Sequence, residues 1–600
     1  AEPCLEIEKN PKTVYEYTSK GNLVAVISNG TAVLGLGDIG AEASKPVMEG
    51  KGLLFKIFAD INVFDIEINE KDPDKFIEIV KGISPTFGGI NLEDIKAPEA
   101  FYIEQRLKEE LNIPLMHDDQ HGTAIISAAA LINALELADK KIDEVKMVVN
   151  GAGAAAIACT KLYIALGLKK ENVLMCDSKG VINHKRENLT PEKLDFIAQT
   201  DISTLEQALE GADVFVGLSK GDVMTAKMLS SMAENPVVFA LANPTPEIDY
   251  NLAIATRPDV IMATGRSDFP NQVNNVLGFP YIFRGALDVQ ATGINEEMKL
   301  AAVKAIAELA KEPVPEMVKL AYNVKNIGFG REYFIPKPFD NRLLTKVSIA
   351  VAKAAMESGI SRKPIADFEE YENQLLDRMG RDEKLIRMMQ NRARSNPKRV
   401  TLGNAEEYNV LKAAQILYEE GIAHPILLGE KKFIKEQMEK FGIHLDVPIV
   451  DPMDDDQDEN RKKYRETLWR LRNRKGVNEY IAKRLVRQRD YFGPLMLQHG
   501  DTDALIVGYS KNYRTVLRPV LEIIEKAKGV DKIASMMMIL SDKKPYFFAD
   551  TSIHVNPTPE EMANIAKMAE FAIKSFAIQP RIAMLSYENF SANSETSKKV

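Results

Sequence analysis

Short runs of apolar, strand-forming residues recur along this chain, four to six residues at a time, each followed by a stretch with helical spacing. Between residues 145 and 263 they are VKMVVN (145–150), NVLMC (172–176), VFVGL (214–218), VVFALA (237–242) and VIMA (260–263). Runs that are apolar throughout, not alternating, describe strands covered on both faces, as in the parallel sheet of an α/β fold. The expected fold class is therefore α/β and multidomain, with a doubly wound, Rossmann-type sheet in this region. An earlier region repeats the alternation with runs at 22–28, 31–36 and 61–68, and a third restarts it with a strand at 398–402, a helix through Glu420 and PILLG at 425–429. A highly charged stretch between Pro364 and Pro397 shows no strand and reads as a helical linker. At roughly 150 residues per domain, 600 residues hold several cores. The expected domains are 1–129, 130–358, a linker 359–396 and 397–600.

Charge and cysteine content narrow the function. Seventy-seven basic against 86 acidic side chains, a net charge of −9, lack the basic excess that a binder of phosphate backbones needs. Cys4, Cys159 and Cys176 form no CxxC pair and suit a reducing cytosol. The longest apolar stretch, 123–138, is broken by Asn133 and Glu136 and falls short of the ~20 residues of a membrane span. No basic segment followed by an apolar one marks a leader at the start. A cytoplasmic protein without nucleic-acid or membrane partners is expected. The chain opens on Ala1 inside a polar phrase and stops at Val600 without a terminal signal, so it reads as cut at both ends.

Two glycine fingerprints compete for a nucleotide. Gly35-Leu36-Gly37-Asp38-Ile39-Gly40 fits GxGxxG, with Asp65 some 25 residues on, but leads into a stretch interrupted by Pro46. Gly151-Ala152-Gly153-Ala154-Ala155-Ala156 fits GxGxxA, follows MVVN and opens the helical IACTKLYIALG. Glycines at such a corner let backbone N–H groups approach a pyrophosphate at the positive end of a helix. Gly151, Gly153 and Ala156 are the expected nucleotide turn. Asp177 ends the next strand, where an acid suits the ribose 2′-hydroxyl of NAD, whereas Ser178 and Lys179 suit the 2′-phosphate of NADP; a merely solvated Lys179 is the third reading.

Two acidic pairs, Glu93-Asp94 and Asp118-Asp119, each adjoin an apolar run and precede a helix. Adjacent acids repel unless a cation is shared between them, and hard oxygens suit Mg²⁺ or Mn²⁺; solvated loop acids are the alternative. His117 and His121 lack the HExxH arrangement of a zinc helix. Lys51, in Glu49-Gly50-Lys51-Gly52, follows an expected turn and on residue type alone reads as solvated. To act as a base near neutrality it must lose about 3 pK units from its usual 10.4.

These pieces, in this order, resemble the malic enzymes, specifically the large bacterial hybrid type with a C-terminal phosphotransacetylase-like domain. The resemblance rests on phrases at 20–40, 45–67, PTFGGINLEDIKAPE (85–99), IPLMHDDQHGTAIIS (113–127), VVNGAGAAAIA (148–158), ANPTPEI (242–248) and TGRSDFPNQVNNV (264–276). It implies metal-dependent oxidative decarboxylation of (S)-malate, with NADP the preferred cofactor and NAD less favoured. It further implies Lys51 as catalytic base with Asp118 beside it, and Glu93, Asp94 and Asp119 as ligands of Mg²⁺ or Mn²⁺. Asn243 and Asn275 match asparagines at the substrate carboxylates, Asn243 also beside the cofactor. The substrate arginine of larger members is replaced by Ala32, which makes Thr31 and its neighbours candidates for carboxylate binding. The family's general-acid tyrosine, in a Tyr-Thr/Ser-Pro-Gly-Val phrase, is expected ahead of Ala1.

The region after residue 397 resembles phosphotransacetylases through EEGIAHPILLG (419–429), GDTDALIVG (500–508), ADTSIHVNPTPEEMANIA (549–566) and PRIAMLSYENF (580–590). Tyr513-Arg514-Thr515 stands where that family has a His-Ser/Thr-Thr phrase. The resemblance thus implies a regulatory domain that senses acetyl-CoA, the alternatives being a phosphate acetyltransferase or a non-catalytic acyl-CoA sensor. Arg470, Arg472, Arg474 and Lys475 are candidates to meet CoA phosphates, or form a solvated face balancing Asp454, Asp455 and Asp456. Both families assemble, so a homo-oligomer is expected.

Overall fold

The computed structural model describes residues 1–322, 327–378, 382–541, 544–576 and 578–585. The chain divides into two compact units, Ala1–Met379 and Gly380–Val600.

The first unit is built on two sheets. Strands β1 (Leu23–Ser28), β2 (Asn62–Glu67), β3 (Gly89–Leu92) and β4 (Leu115–His117) form a parallel sheet in the order β2-β1-β3-β4. Strands β5 (Met147–Asn150), β6 (Val173–Asp177), β7 (Gly180–Val181), β8 (Val214–Gly217), β9 (Val237–Ala240) and β10 (Ile261–Thr264) form the second, in the order β10-β9-β8-β5-β6-β7. All its pairings are parallel except the short β6–β7 hairpin. The four residues of each of β5, β8, β9 and β10 are buried, as runs apolar throughout require. The expected doubly wound α/β class is what the chain folds into.

The helix Asp118–Leu137 follows β4 directly and is buried along most of its length. Its alanine-rich middle lets neighbours approach closely, and one core runs from Val24 and Phe55 through Ala124–Leu135 to Val149 and Phe239. Both sheets thus share a core with the helix that begins at the second acidic pair.

Two local readings are corrected. Residues 31–36 are not a strand: Val33 bridges Gly37 in a tight turn, and Leu34 and Leu36 are exposed. Residues 49–52 are not a turn: they lie inside the 19-residue helix Ala41–Ala59, which runs on through Pro46. Pro46 forgoes one backbone bond, to Glu42, on the exposed side of that helix, and packing by Met48, Phe55 and Ala59 holds the rest.

In the second unit, β11 (Lys398–Gly403), β12 (Ala423–Leu428), β13 (Ile449–Val450) and β14 (Ala504–Ile506) form a parallel sheet in the order β13-β12-β11-β14. An antiparallel hairpin of β15 (Met536–Ser541) and β16 (Lys544–Ala549) follows. The charged stretch before β11 is helical at Phe368–Arg378 and Asp382–Ser395, with 379–381 outside the described residues, as is the end of the 580–590 phrase. Arg472 pairs with Glu522 at 3.6 Å, and Asp454 with Lys431 at 3.6 Å. No described helix is long and apolar enough to cross a membrane.

Candidate active site

Parallel register brings the two acidic pairs together. Leu92 of β3 lies beside His117 of β4, so the residues that follow each strand, Glu93-Asp94 and Asp118-Asp119, emerge side by side at the carboxyl edge of one sheet. Loops at that edge are where α/β sheets hold ligands. Asp94 takes a left-handed conformation (φ 54°), which aspartate tolerates. Its N–H donates to Asp119 Oδ2 at 2.8 Å, while the Asn91 amide donates to Glu93 Oε2 at 2.7 Å. Carboxylate oxygens of Glu93, Asp94 and Asp119 lie within 4.8 Å of one another.

Lys51 reaches this group from the helix Ala41–Ala59. Its Nζ donates to Asp118 and, at 3.2 Å, to Glu93 Oε1, and it stands 3.9 Å from the centre of the Phe279 ring. Only 10% of its side chain is exposed. The reading of a solvated lysine is overturned, because glycines at 50 and 52 disguised a helix whose inner face carries Lys51. Its pKa is not pushed down either. Burial works in that direction, but the Asp118 and Glu93 carboxylates outweigh it and hold the ammonium above its usual range.

The acids feel the opposite pressure. Burial, reinforced by Asp119 and Asp118 and opposed by Lys51, pushes Glu93 up to about 8. Burial and the Glu93 charge push Asp94 up to about 7. Asp119 is raised as well, by burial and by Asp94; with 39% of its side chain exposed it is the member nearest solvent. Four carboxylates against one ammonium leave negative charge uncompensated. Asp94 Oδ2, Asp118 Oδ1 and Asn91 Oδ1 are buried without a hydrogen-bond partner. Buried polar atoms are costly unless satisfied, and a hard divalent cation is what three clustered carboxylates suit. The donor set therefore fits Mg²⁺ or Mn²⁺.

The second sheet offers a different kind of site. After β5, Gly151 turns at φ 132°, and an added Cβ would lie 2.5 Å from the Leu218 carbonyl oxygen. Gly153 caps the helix Ala154–Ala165 without a side-chain bond, leaving the first-turn N–H groups for an anion, and Ala156 packs inward. This cradle fits a pyrophosphate. At the end of β6, Asp177 accepts from Arg186 at 2.8 Å, from Lys193 at 3.2 Å and from the Lys179 N–H at 2.9 Å. Burial opposes ionisation there, but these donors prevail and hold Asp177 down at about 2. Ser178 and Lys179 are exposed in the β6–β7 turn.

Residues 1–108 match the family model of the malic enzyme N-terminal domain, and residues 120–328 that of the malic enzyme NAD binding domain. The NADP-dependent malic enzyme of Escherichia coli is 51% identical over 99% of this chain and 79% of its own length. The chain belongs to the malic enzyme family. Residues 384–600 match the phosphate acetyl/butaryl transferase model, so this family member carries a phosphotransacetylase-like region after its oxidoreductase unit. An NAD-dependent malic enzyme of Rhizobium meliloti is 47% identical over the whole chain and 79% of its own length. The solved malic enzyme of Pyrococcus horikoshii superposes with a TM-score of 0.58 at 43% identity, covering 63% of this chain and 86% of that one.

The fold of this malic enzyme gathers Lys51, Glu93, Asp94, Asp118 and Asp119 in one group and adds Asn275, whose amide donates to Asp118 at 3.1 Å and accepts from Thr123 at 3.1 Å. Thr31 is buried under the group: its hydroxyl donates to Asn29 at 2.7 Å and accepts the Lys96 N–H at 3.1 Å, bracing the Asp94 turn. Asn243 stands beyond β9 at the edge of the second sheet, its amide against Gly265. Sequence reasoning passed over Arg186 and Lys193, which look like ordinary surface cations. It also passed over Phe279, an apolar residue among many, and Glu104, whose buried carboxylate receives the His117 N–H and the His121 ring. Burial opposes ionisation of Glu104, yet His121 and Lys108 beside it hold its carboxyl well below the usual range. No local signal marked the first three; Glu104 falls on the apolar stripe of Ala100, Ile103 and Leu107.

Proposed function

We propose that the chain oxidatively decarboxylates (S)-malate to pyruvate and CO₂ with reduction of NADP, in a reaction dependent on Mg²⁺ or Mn²⁺. The observation that carries this reading is the buried group in which Lys51 touches Asp118 and Glu93 beside the clustered carboxylates of Glu93, Asp94 and Asp119, with Asp94 Oδ2, Asp118 Oδ1 and the Asn91 amide oxygen left without partners. Glu93, Asp94 and Asp119 would hold the divalent ion, and the backbone at Gly151, Gly153 and the helix start would hold the nucleotide pyrophosphate. When bound, the ion supplies a Lewis acid and the nucleotide a hydride acceptor for C2.

The chain's own groups move the protons. Lys51 must be neutral to take the C2 hydroxyl proton, and Asp118, hydrogen-bonded to it, is the group placed to relieve it of one first. Asn275 holds Asp118 in that position, and it and Asn243 offer amides to the substrate carboxylates. Loss of the hydroxyl proton and of hydride from C2 leaves a 2-keto acid; the C4 carboxylate departs as CO₂, its bonding pair passes into an enolate, and one proton taken at C3 gives pyruvate.

NADP is favoured over NAD because Asp177 is already committed to Arg186 and Lys193, so that end of β6 offers cations, not a free carboxylate, to a ribose. The NADP-dependent relatives agree with this, and the NAD-dependent one makes the preference worth measuring. The phosphotransacetylase-like region is assigned an acetyl-CoA-sensing role within a homo-oligomeric cytoplasmic enzyme, supported by its family match. Following NAD(P)H formation with L-malate and Mn²⁺, with either nucleotide and with or without acetyl-CoA, tests all of these. Metal-dependent turnover on NADP that changes with acetyl-CoA is expected. Absence of turnover in the full-length gene product, upstream tyrosine included, would sink the catalytic reading, and indifference to acetyl-CoA the regulatory one.

A further inference from the structure

We propose that Glu104 is the positioning residue of the acidic turn: its carboxylate, bonded to the backbone just before the Asp118-Asp119 pair and to a side chain just after it, holds both acids where the metal would bind. The inference rests on the proposed role of Glu93, Asp94 and Asp119.

The corner from β4 into the helix Asp118–Leu137 has no side-chain cap of its own. Such corners need an acceptor for their exposed N–H groups. Glu104, on the helix Glu99–Glu110, provides one from outside and is itself only 5% exposed. Its Oε1 accepts the His117 N–H at 3.0 Å and the Lys108 ammonium at 2.8 Å; its Oε2 meets His121 Nε2 at 3.0 Å. One carboxylate thus grips residues 117 and 121, on either side of the pair.

The grip is directional. His121 Nδ1 faces the Lys299 ammonium at 3.4 Å, and Lys299 also bonds Glu296. An ammonium can only donate, so Nδ1 accepts, and Nε2 then carries the hydrogen that goes to Glu104. The His117 ring makes no hydrogen bond, though its Nδ1 lies 3.7 Å from Asp119 Oδ2; pairing of β4 with β3 holds the residue from one side and the bond of its N–H to Glu104 holds it from outside the sheet. Rotation of the corner would carry Asp119 away from the Asp94 N–H and Asp118 away from Lys51.

The test is Glu104→Gln in the full chain, which keeps size and shape but places an amide donor against His121. Mn²⁺ alone is titrated, by electron paramagnetic resonance or calorimetry, beside NADP titration and thermal melting. Groups that orient ligands typically contribute 10- to 100-fold to metal affinity, so a loss of about tenfold is expected, with NADP affinity within twofold of the parent. Asp119→Asn separates the two readings. If it weakens Mn²⁺ while Glu104→Gln does not, the positioning role is overturned; if neither weakens it, the metal assignment itself fails. Equal losses of Mn²⁺ and NADP affinity in Glu104→Gln mean a general packing role and also overturn the proposal. Should Glu104→Gln not fold, His121→Asn, which leaves the bond to the His117 N–H in place, is read in the same titration. About a fivefold loss is then expected, the worth of one hydrogen bond, and unchanged affinity overturns the proposal.

Discussion

The two sheets of the first unit offer opposite kinds of site to the ligands proposed for them. At the ends of β3 and β4, side chains do the work: four acids and one lysine are crowded together, several oxygens lack partners, and the charges displace one another's pKa. At the end of β5 the backbone does it, through a glycine turn and an uncapped helix start, and the nearby acid Asp177 is neutralised by cations of the chain itself. A charge cluster is tuned by every neighbour and can be disabled through any of them. A backbone cradle depends on shape and can be disabled only by displacing the chain. Substitutions should therefore separate cleanly, those at the first site sparing nucleotide affinity and those at the second sparing metal affinity.

The largest separation is expected for Lys51→Ala. Positioned general bases contribute about 10²–10⁴-fold to rate, so kcat should fall by about 10³-fold with NADP affinity unchanged in a direct titration. Loss of NADP binding instead would break the contrast at its strongest point. On the other side, Gly151→Ala puts a Cβ 2.5 Å from the Leu218 carbonyl at a φ of 132°. The turn must shift, and on the scale of small misplacements at active sites NADP should bind about 30- to 100-fold more weakly. Mn²⁺ affinity, read without nucleotide, should stay as it was.

How much of this was legible in the residues follows the same division. The cradle is local: strand, glycines and helix start lie within 20 residues, and the complete strand–helix–strand unit ending on Asp177, against the Pro-interrupted stretch after Gly35, is what favours Gly151. The apolar run at 31–36 misled in suggesting a strand, where Leu34 and Leu36 are apolar but exposed. The acidic pairs were visible as pairs, but their meeting depends on Leu92 lying beside His117, a register between strands 25 residues apart. Lys51 belongs to a helix whose glycines and Pro46 hide its periodicity, and packing, not propensity, decides that it is helical. Glu104 sits in EAFYIEQRLKEE on the stripe of Ala100, Ile103 and Leu107 that this helix buries, so helical spacing could have singled it out from the other acids; its partners could not be read there.

A subtler probe of the charge cluster is Gly122, one turn beyond the second acidic pair. A Cβ there would lie 2.1 Å from Asp118 Oδ1, so the carboxylate folds back over a place only glycine leaves open. Alanine is favoured over glycine inside a helix by about 1 kcal/mol, so Gly122→Ala should not lose stability through the helix itself. It should move Asp118 off Lys51 and lower kcat about tenfold, with thermal melting little changed and NADP affinity intact. An unchanged kcat would mean that the Asp118–Lys51 contact is dispensable and that the proton leaves Lys51 by another route.

The smallest effect expected is also the one that decides between cofactors. Arg186 donates to Asp177 at 2.8 Å and remains partly open to solvent, as does Lys193 at 3.2 Å. Removing Arg186 by Arg186→Ala takes away one cation that a ribose 2′-phosphate would meet and frees part of a carboxylate that a 2′-hydroxyl would meet. Both changes act in the same direction, against NADP and toward NAD. Partly exposed charge pairs contribute about 1 kcal/mol, so the ratio of kcat/KM for NADP over NAD should fall about fivefold, mostly through KM. Lys193→Ala should act the same way and more weakly, because its bond is longer. The Mn²⁺ titration serves as the control, since neither cation touches the acidic group. If the ratio stays constant while both nucleotides weaken together, Arg186 only braces the β6–β7 turn, and the preference must come from Ser178 and Lys179.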